Sequence, residues 1–251
     1  MSKQDTKDGG FVETVKTLVY AVLIAVGIRT VAFEPFNIPS ESMLPTLLVG
    51  DYLFVSKFSY GYSRHSLPFS VPLIPGRILS TMPERGDVAV FKLPRDNSTD
   101  YIKRIIGLPG DRIQMKGGVL FLNGKEVPRR RIDSFITKGP FGNSIPVIQH
   151  IETLPGGRSY HTLDLVQGSE TDDTPIFTVP PGHVFAMGDN RDNSLDSRVD
   201  PRRGGVGFVP IQNLVGRAEF HFFSTNGSAS IFEPWKWPWA IRYERIFKSV
   251  G

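Results

Sequence analysis

Hydrophobic positions divide the chain into two unlike parts. Twelve uncharged residues, 17–28 (TLVYAVLIAVGI), lie between Lys16 and Arg29. Extending the run through Phe33 gives seventeen residues with one charge, Arg29. That is the short end of the roughly 17–25 residues that cross a bilayer core as a helix. The long stem of Arg29 can snorkel to the interface. The run predicts a retained transmembrane anchor, with a cleaved secretory signal and a buried core helix as the alternatives. Against cleavage, the following RTVAFEPF has no clear small-x-small site. Lys3, Lys7 and Lys16 precede the run and favour an inside amino terminus, while Arg29 follows it.

From Phe36 onward the pattern changes to short apolar runs punctuated by Gly, Pro and Asp. Segments 51–58, 87–93, 101–108, 119–127, 183–189 and 214–223 predict strands, and Asn123-Gly124 predicts a two-residue hairpin turn. Residues 59–84, rich in Ser, Pro and Gly, predict an extended loop. Residues 128–182 are polar and irregular and suggest an insertion between two portions of one core. The expected fold is mostly β: an antiparallel β core from 36–112 and 183–224, an inserted β-rich subdomain at 113–182, and one transmembrane helix at 17–35 after a tail at 1–16. The end, 225–251, mixes Trp235, Trp237 and Trp239 with Lys236, Arg242, Arg245 and Lys248. That mixture suits a membrane headgroup region and equally a terminal amphipathic helix packed on the protein's own core.

Composition narrows the chemistry. At 251 residues, with 40% hydrophobic and 22% charged, the chain has room for one large domain or two small ones and is not a disordered polymer. The absence of cysteine excludes disulfides, a thiolate nucleophile, iron–sulfur clusters and thiolate zinc sites, but assigns no compartment. The net charge of +4 suits an anionic membrane surface or nucleic acid but is too mild to argue for either. His65, His150, His161, His183 and His221 include no i, i+4 metal pair, and there is no HExxH, GxSxG, phosphate loop or GxGxxG. None of them is marked by its neighbours as part of a Ser–His–Asp triad.

Three segments carry candidate chemistry. In 36–61, Ser40 and Ser42 are bracketed by Pro39 and Pro45, which fix backbone dihedrals and prevent a regular helix. A serine so held can present its oxygen and a neighbouring backbone N–H to a substrate, although an isolated Ser–x–Ser is far more often a capping serine in a loop. In 85–111, Lys103 sits inside an apolar strand. Alternation puts Tyr101 and Lys103 on one face, Ile102 and Arg104 on the other. The third, 187–198 (MGDNRDNSLDSR), is a hydrogen-bonding turn. Alone it could suggest calcium, but it lacks the EF-hand spacing and terminal Glu.

Together, in order and with the apolar run before them, these segments resemble the type I signal peptidases, membrane-bound serine peptidases that remove signal peptides from exported proteins. The resemblance runs from about Phe36 to Phe222 with a divergent middle. It implies that Ser42 is the nucleophile, Lys103 the general base, and Ser40 a hydroxyl that joins the Ser42 backbone N–H in an oxyanion hole. Ser194 would hydrogen-bond the lysine, with Asp196 and Arg198 as a supporting ion pair. Ile38, Met43, Leu47, Val90, Tyr101 and Ile102 would form the apolar surroundings, lining shallow pockets for small residues at −1 and −3. Glu41, between the serines, is larger than the small residue some members carry, and its side chain is expected to point away. No metal or organic cofactor is implied. The implied partners are exported preproteins and the phospholipid membrane, not nucleic acid, with a cytoplasmic tail and a catalytic region on the periplasmic side of the inner membrane. A self-cleaving repressor-type Ser–Lys protease would carry a DNA-binding helical domain where this chain has its apolar run. An inactive anchored β domain binding envelope partners is the other alternative.

Overall fold

The computed structural model describes residues 7–67, 70–139, 143–229 and 232–250. The first six residues of the expected tail lie outside them. Helix α1 covers Lys7–Val31, starting well before the apolar run and ending before the expected limit. Its early turns are polar but helix-compatible, with a Lys16–Glu13 pair at 3.1 Å. Its apolar stretch, Gly10–Val31, is long enough to cross a membrane, and none of it is buried against the rest of the protein; it is not a core helix.

The chain leaves the helix directly into β1 (Phe33–Asn37), which pairs antiparallel with β2 (Asp51–Ser56). Pro35 cannot continue a helix, and Phe33 packs edge-on against Phe54 and Phe58. A short ribbon, β3 (Tyr62–Ser63) with β4 (Arg77–Ile78), interrupts the expected loop. β5 (Val88–Lys92) and β6 (Asp100–Gly107) form a hairpin. β7 (Arg112–Lys116), β8 (Val119–Leu122) and β9 (Lys125–Glu126) form a meander. Its second turn has Asn123 at φ 55° and Gly124 at φ 79°, the left-handed pair that a tight hairpin requires.

Residues 128–182 are more regular than their polarity suggested. β10 (Arg129–Lys138), β11 (Ser144–Thr153) and β12 (Ser159–Asp164) make a three-stranded antiparallel sheet. One face of that sheet is wet, so its strands need not read as apolar runs. β13 (Phe177–Thr178), β14 (His183–Met187), β15 (Val209–Pro210) and β16 (Leu214–Ser224) follow. The main sheet has the order β1-β2-β16-β5-β6-β14-β15, and β13 joins the meander. β5 is buried on both faces. Val88 and Val90 pack with Met43, Leu47 and Leu53, and Ala89 and Phe91 pack with Ile105 and Val184. This fixes the β5–β6 hairpin, and Lys103 with it, in the middle of the molecule.

The carboxyl end is neither a long helix nor detached. It makes short turns at Pro234–Lys236, Trp237–Ala240 and Tyr243–Arg245, then runs back along β16 with bridges at Thr225↔Ile241 and Phe220↔Ser249. Trp235 and Trp239 are exposed, whereas Arg242 and Arg245 turn inward.

Candidate active site

Ser42 lies in the turn between β1 and β2, Lys103 on β6, and the third segment follows β14. The turn closes on itself through Leu44 N–H to Glu41 O and Leu47 N–H to Met43 O, at 3.0 and 2.9 Å. It is tied to the third segment where Asn190 N–H donates to Ser42 O at 3.1 Å and Asn190 Nδ2 to Glu41 O at 3.0 Å. Lys103 Nζ donates to Ser42 Oγ at 2.6 Å and to Ile102 O at 3.0 Å. Across the hairpin, Ala89 faces Lys103 and its small side chain leaves room for the lysine stem. Tyr101 shares the lysine's face, with Nζ 5.4 Å from its ring centre, as alternation predicts.

Burial sets the electrostatics. Lys103 is 4% exposed and Ser42 8%. Loss of hydration pulls the lysine pKa down to about 8, with Arg198 adding to the effect and Asp196 and Asp189 opposing it. Asp196 and Arg198 form the expected pair, buried and two-pronged at 2.9 and 2.8 Å. Burial pushes the Asp196 carboxyl up, but Arg198 and the Gly188 and Arg198 N–H groups more than offset this and keep it below the usual carboxylate range. Ser40 Oγ is 3.5 Å from Ser42 Oγ. Glu41 is exposed, and its carboxylate accepts from Asn193 Nδ2 at 3.2 Å.

Two expected placements differ. Ser194 Oγ is buried beside Ser42 but hydrogen-bonds to none of the described residues, Lys103 included; the lysine's hydrogen bonds go to Ser42 and Ile102 instead. A groove of about 780 Å³ runs over the pair, with Ile38, Val90, Tyr101 and Ile102 in its wall. Met43 and Leu47 are not in that wall: at 1% and 0% exposure they pack behind it with Ile38 and Val90. The turn that presents Ser42 outward directs its apolar neighbours into the core.

The groove also has an open strand edge. β5 pairs along β6 from Asp100 to Arg104, but β14 pairs on the other side only with Arg104, Ile105 and Gly107. The edge at 100–103, which no described strand pairs with on that side, lines the groove together with 36–39. A serine hydroxyl against a dry lysine, below a free strand edge, is equipped for acyl transfer on an extended peptide.

A family model described as signal peptidase, peptidase S26, matches residues 11–223. The chain belongs to the signal peptidase family. Signal peptidase I of Rickettsia typhi is 39% identical over 272 residues, covering 100% of this chain and 98% of that protein. Signal peptidase I of Rickettsia massiliae is 40% identical over 252 residues, covering 93% and 91%. A solved signal peptidase I from Enterococcus faecalis V583 is 25% identical, with TM-score 0.32, covering 55% of this chain and 97% of that one. As a signal peptidase, the chain is a serine endopeptidase, a hydrolase of peptide bonds, anchored in the membrane by α1.

Several residues that hold this signal peptidase's site together are not singled out by sequence. Arg104, fully buried, clamps Asp189 at 2.8 and 2.7 Å and stacks 4.3 Å from the Tyr160 ring centre. Arg191 grips Glu152 at 2.6 and 2.5 Å, tying the third segment to β11. A Cβ on Gly188 would meet Ser194 Oγ and, at 2.5 Å, Ser42 O. Asp189, Asn190 and Arg191 lay inside the third motif, whose density of Asp and Asn was the available signal. Glu152 and Tyr160 had none.

Proposed function

We propose that this chain removes amino-terminal signal peptides from exported preproteins, with Ser42 as nucleophile and Lys103 as general base, through an acyl-enzyme. One observation carries the proposal: the 2.6 Å contact between Lys103 Nζ and Ser42 Oγ in a setting dry enough to lower the lysine to about 8. At neutral pH roughly a tenth of the lysine is then unprotonated, against less than a thousandth for a solvated one. The neutral amine takes the Ser42 proton as Oγ attacks the scissile carbonyl. The oxyanion is held by the Ser42 N–H and the Ser40 hydroxyl. On collapse the C–N bond breaks, and the Lys103 ammonium returns its proton to the leaving amine. Water, deprotonated by the same lysine, then attacks the ester carbonyl; the bond to Ser42 Oγ breaks and the lysine returns the proton to Ser42. Ser194, Asp196 and Arg198 support the lysine's surroundings.

The substrate adds a strand to the edge at 100–103, so alternate side chains point into the enzyme. Ile38, Val90, Tyr101 and Ile102 form a shallow wall that accepts small residues at −1 and −3, backed by Met43 and Leu47. The seven-stranded sheet is the catalytic core, with 113–182 inserted. α1 crosses a bacterial inner membrane once, with the catalytic region on the periplasmic side. Holding enzyme and preprotein in one membrane plane raises their effective concentration. The test is cleavage of a preprotein in detergent by wild type, Ser42→Ala and Lys103→Ala, with folding followed by circular dichroism. Wild type cuts after the signal segment and both folded variants do not. Undiminished cutting by Ser42→Ala would remove the serine from its role.

A further inference from the structure

We propose that Arg245 is a positioning residue: from the carboxyl-terminal segment it fastens the turn that carries Ser42. The inference rests on the assignment of Ser42 as nucleophile.

The segment after Ala240 is bonded along β16. Arg242 N–H donates to Ser224 O, Phe247 N–H to His221 O and Val250 N–H to Glu219 O, at 3.0, 2.7 and 2.8 Å. Val250 enters the core cluster that holds Ile38, Met43 and Leu47, the residues on either side of Ser42. Its two arginines reach back into the nucleophile turn. Arg242 Nη1 donates to Val49 O at 3.1 Å. Arg245 Nη2 donates to Thr46 O at 2.9 Å, and its guanidinium grips the fully buried Asp51 at 2.9 and 2.6 Å.

Asp51 is the hub of the fastening. Its carboxylate also accepts Leu48 N–H and Ser224 Oγ, both at 2.7 Å, and lies 3.3 Å from His221 Nε2. Burial pushes this carboxyl up, but His221, Arg245, Ser224 and the Leu48 N–H outweigh burial and hold it well below the usual range. Asp51 thus stays an anion that needs its guanidinium.

The fastening continues to the lysine's strand. Thr46, whose carbonyl Arg245 holds, donates its hydroxyl to Asp189 at 2.5 Å and accepts from Arg104 Nη2 at 3.3 Å. Arg104 is next to Lys103 on β6. The turn is therefore held on one side by the carboxyl-terminal segment and on the other by the strand of the base, with Thr46 between them. Ser42 must keep its distance from Lys103 and from the scissile carbonyl, and a displacement of about 1 Å can cost about a hundredfold in rate.

The test compares full-length wild type, Arg245→Met, Arg245→Lys and Ser42→Ala in detergent, with kcat and KM for preprotein cleavage and the unfolding midpoint measured for each. Arg245→Met lowers kcat about tenfold or more, with KM within about twofold because the groove walls are untouched. Arg245→Lys, which keeps the charge on Asp51 but lacks the fork that also reaches Thr46 O, recovers part of the loss. If Arg245→Met does not fold, Thr46→Val cuts the same connection at the Asp189 side with little change in volume and lowers kcat with KM retained. A folded Arg245→Met with wild-type kcat overturns the proposal. So does a loss of kcat that only follows the fraction unfolded. If Ser42→Ala still cleaves, the nucleophile assignment fails; if Ser42→Ala is dead and Arg245→Met is unimpaired, only the positioning role fails.

Discussion

Replacing Lys103 by methionine should make the protein more stable at neutral pH while abolishing cleavage. Lys103 is buried and held at about 8 rather than 10.5. At about 1.4 kcal/mol per pH unit of displacement, the charged form costs the fold about 3 kcal/mol at pH 7. The unfolded chain binds the extra proton between about pH 8 and 10.5, so stability rises with pH across that window. The cost is fully present below 8 and nearly gone above 10.5. Methionine has a similar length and no charge, and it keeps the stem's packing beside Ala89 and Tyr101. It loses the hydrogen bonds to Ser42 Oγ and Ile102 O, worth about 1 kcal/mol each. The variant is therefore more stable than wild type by about 1 kcal/mol at pH 7 and less stable at pH 10.5. The assay is urea unfolding of both proteins in detergent, followed by tryptophan fluorescence from pH 7 to 10.5. Every other group titrates alike in the two chains, so the difference between them isolates Lys103. It changes by about 3 kcal/mol across the window. A difference that does not vary with pH would refute the claim that the fold holds this lysine at a depressed pKa.

Other expectations follow from single distances. Ser40→Ala removes the hydroxyl 3.5 Å from Ser42 Oγ and should lower kcat by about 10²–10³ with KM nearly unchanged; an unchanged kcat in steady-state cleavage would take Ser40 out of the oxyanion hole. Gly188→Ala puts a methyl group 2.5 Å from Ser42 O and against Ser194 Oγ, so cleavage should fall by about tenfold or more in a protein with wild-type circular dichroism; full activity would mean that the crossing is looser than this. Val90→Ala and Ile102→Ala deepen the groove wall and should admit larger residues at −1 or −3, read by cleavage of a substrate series; unaltered selectivity would remove them from the pockets.

How much could be read beforehand depended on whether a residue's environment is made locally. β2, β5, β6, β14 and β16 were legible because each is a mostly apolar run with much of its side-chain surface buried, interrupted only by Lys103 and Arg104 in β6 and by Arg217, Glu219 and His221 in β16. The Asn123-Gly124 turn was legible because so few residue pairs accept left-handed backbone at both positions. β10 was hidden because the sheet it edges is wet on one face, and RRRIDSFITK does not alternate cleanly across its irregularity between Ile132 and Phe135. The extra turns of α1 were hidden by charged residues that are compatible with helix but not with a bilayer core. At the candidate site, the ordered motifs put forward Ser42 and Lys103, which the fold brings within 2.6 Å of each other. Their dryness, however, is tertiary: Ala89, Ser42 and the third segment close around Lys103 only after folding. The Arg104–Asp189 clamp spans 85 positions and the Arg245–Asp51 grip 194, so no local pattern could announce either. Met43 and Leu47 were misdirected because periodicity does not say which way a proline-bracketed turn points its apolar side chains.

The pH dependence of preprotein cleavage tests the Ser42–Lys103 account most directly. With Lys103 at about 8 and active only as the neutral amine, kcat/KM should rise about tenfold per pH unit up to that value and level off above it. A profile that is flat from about pH 6 to 9, or that turns near the histidine range at about 6.5, would mean that another group takes the serine's proton.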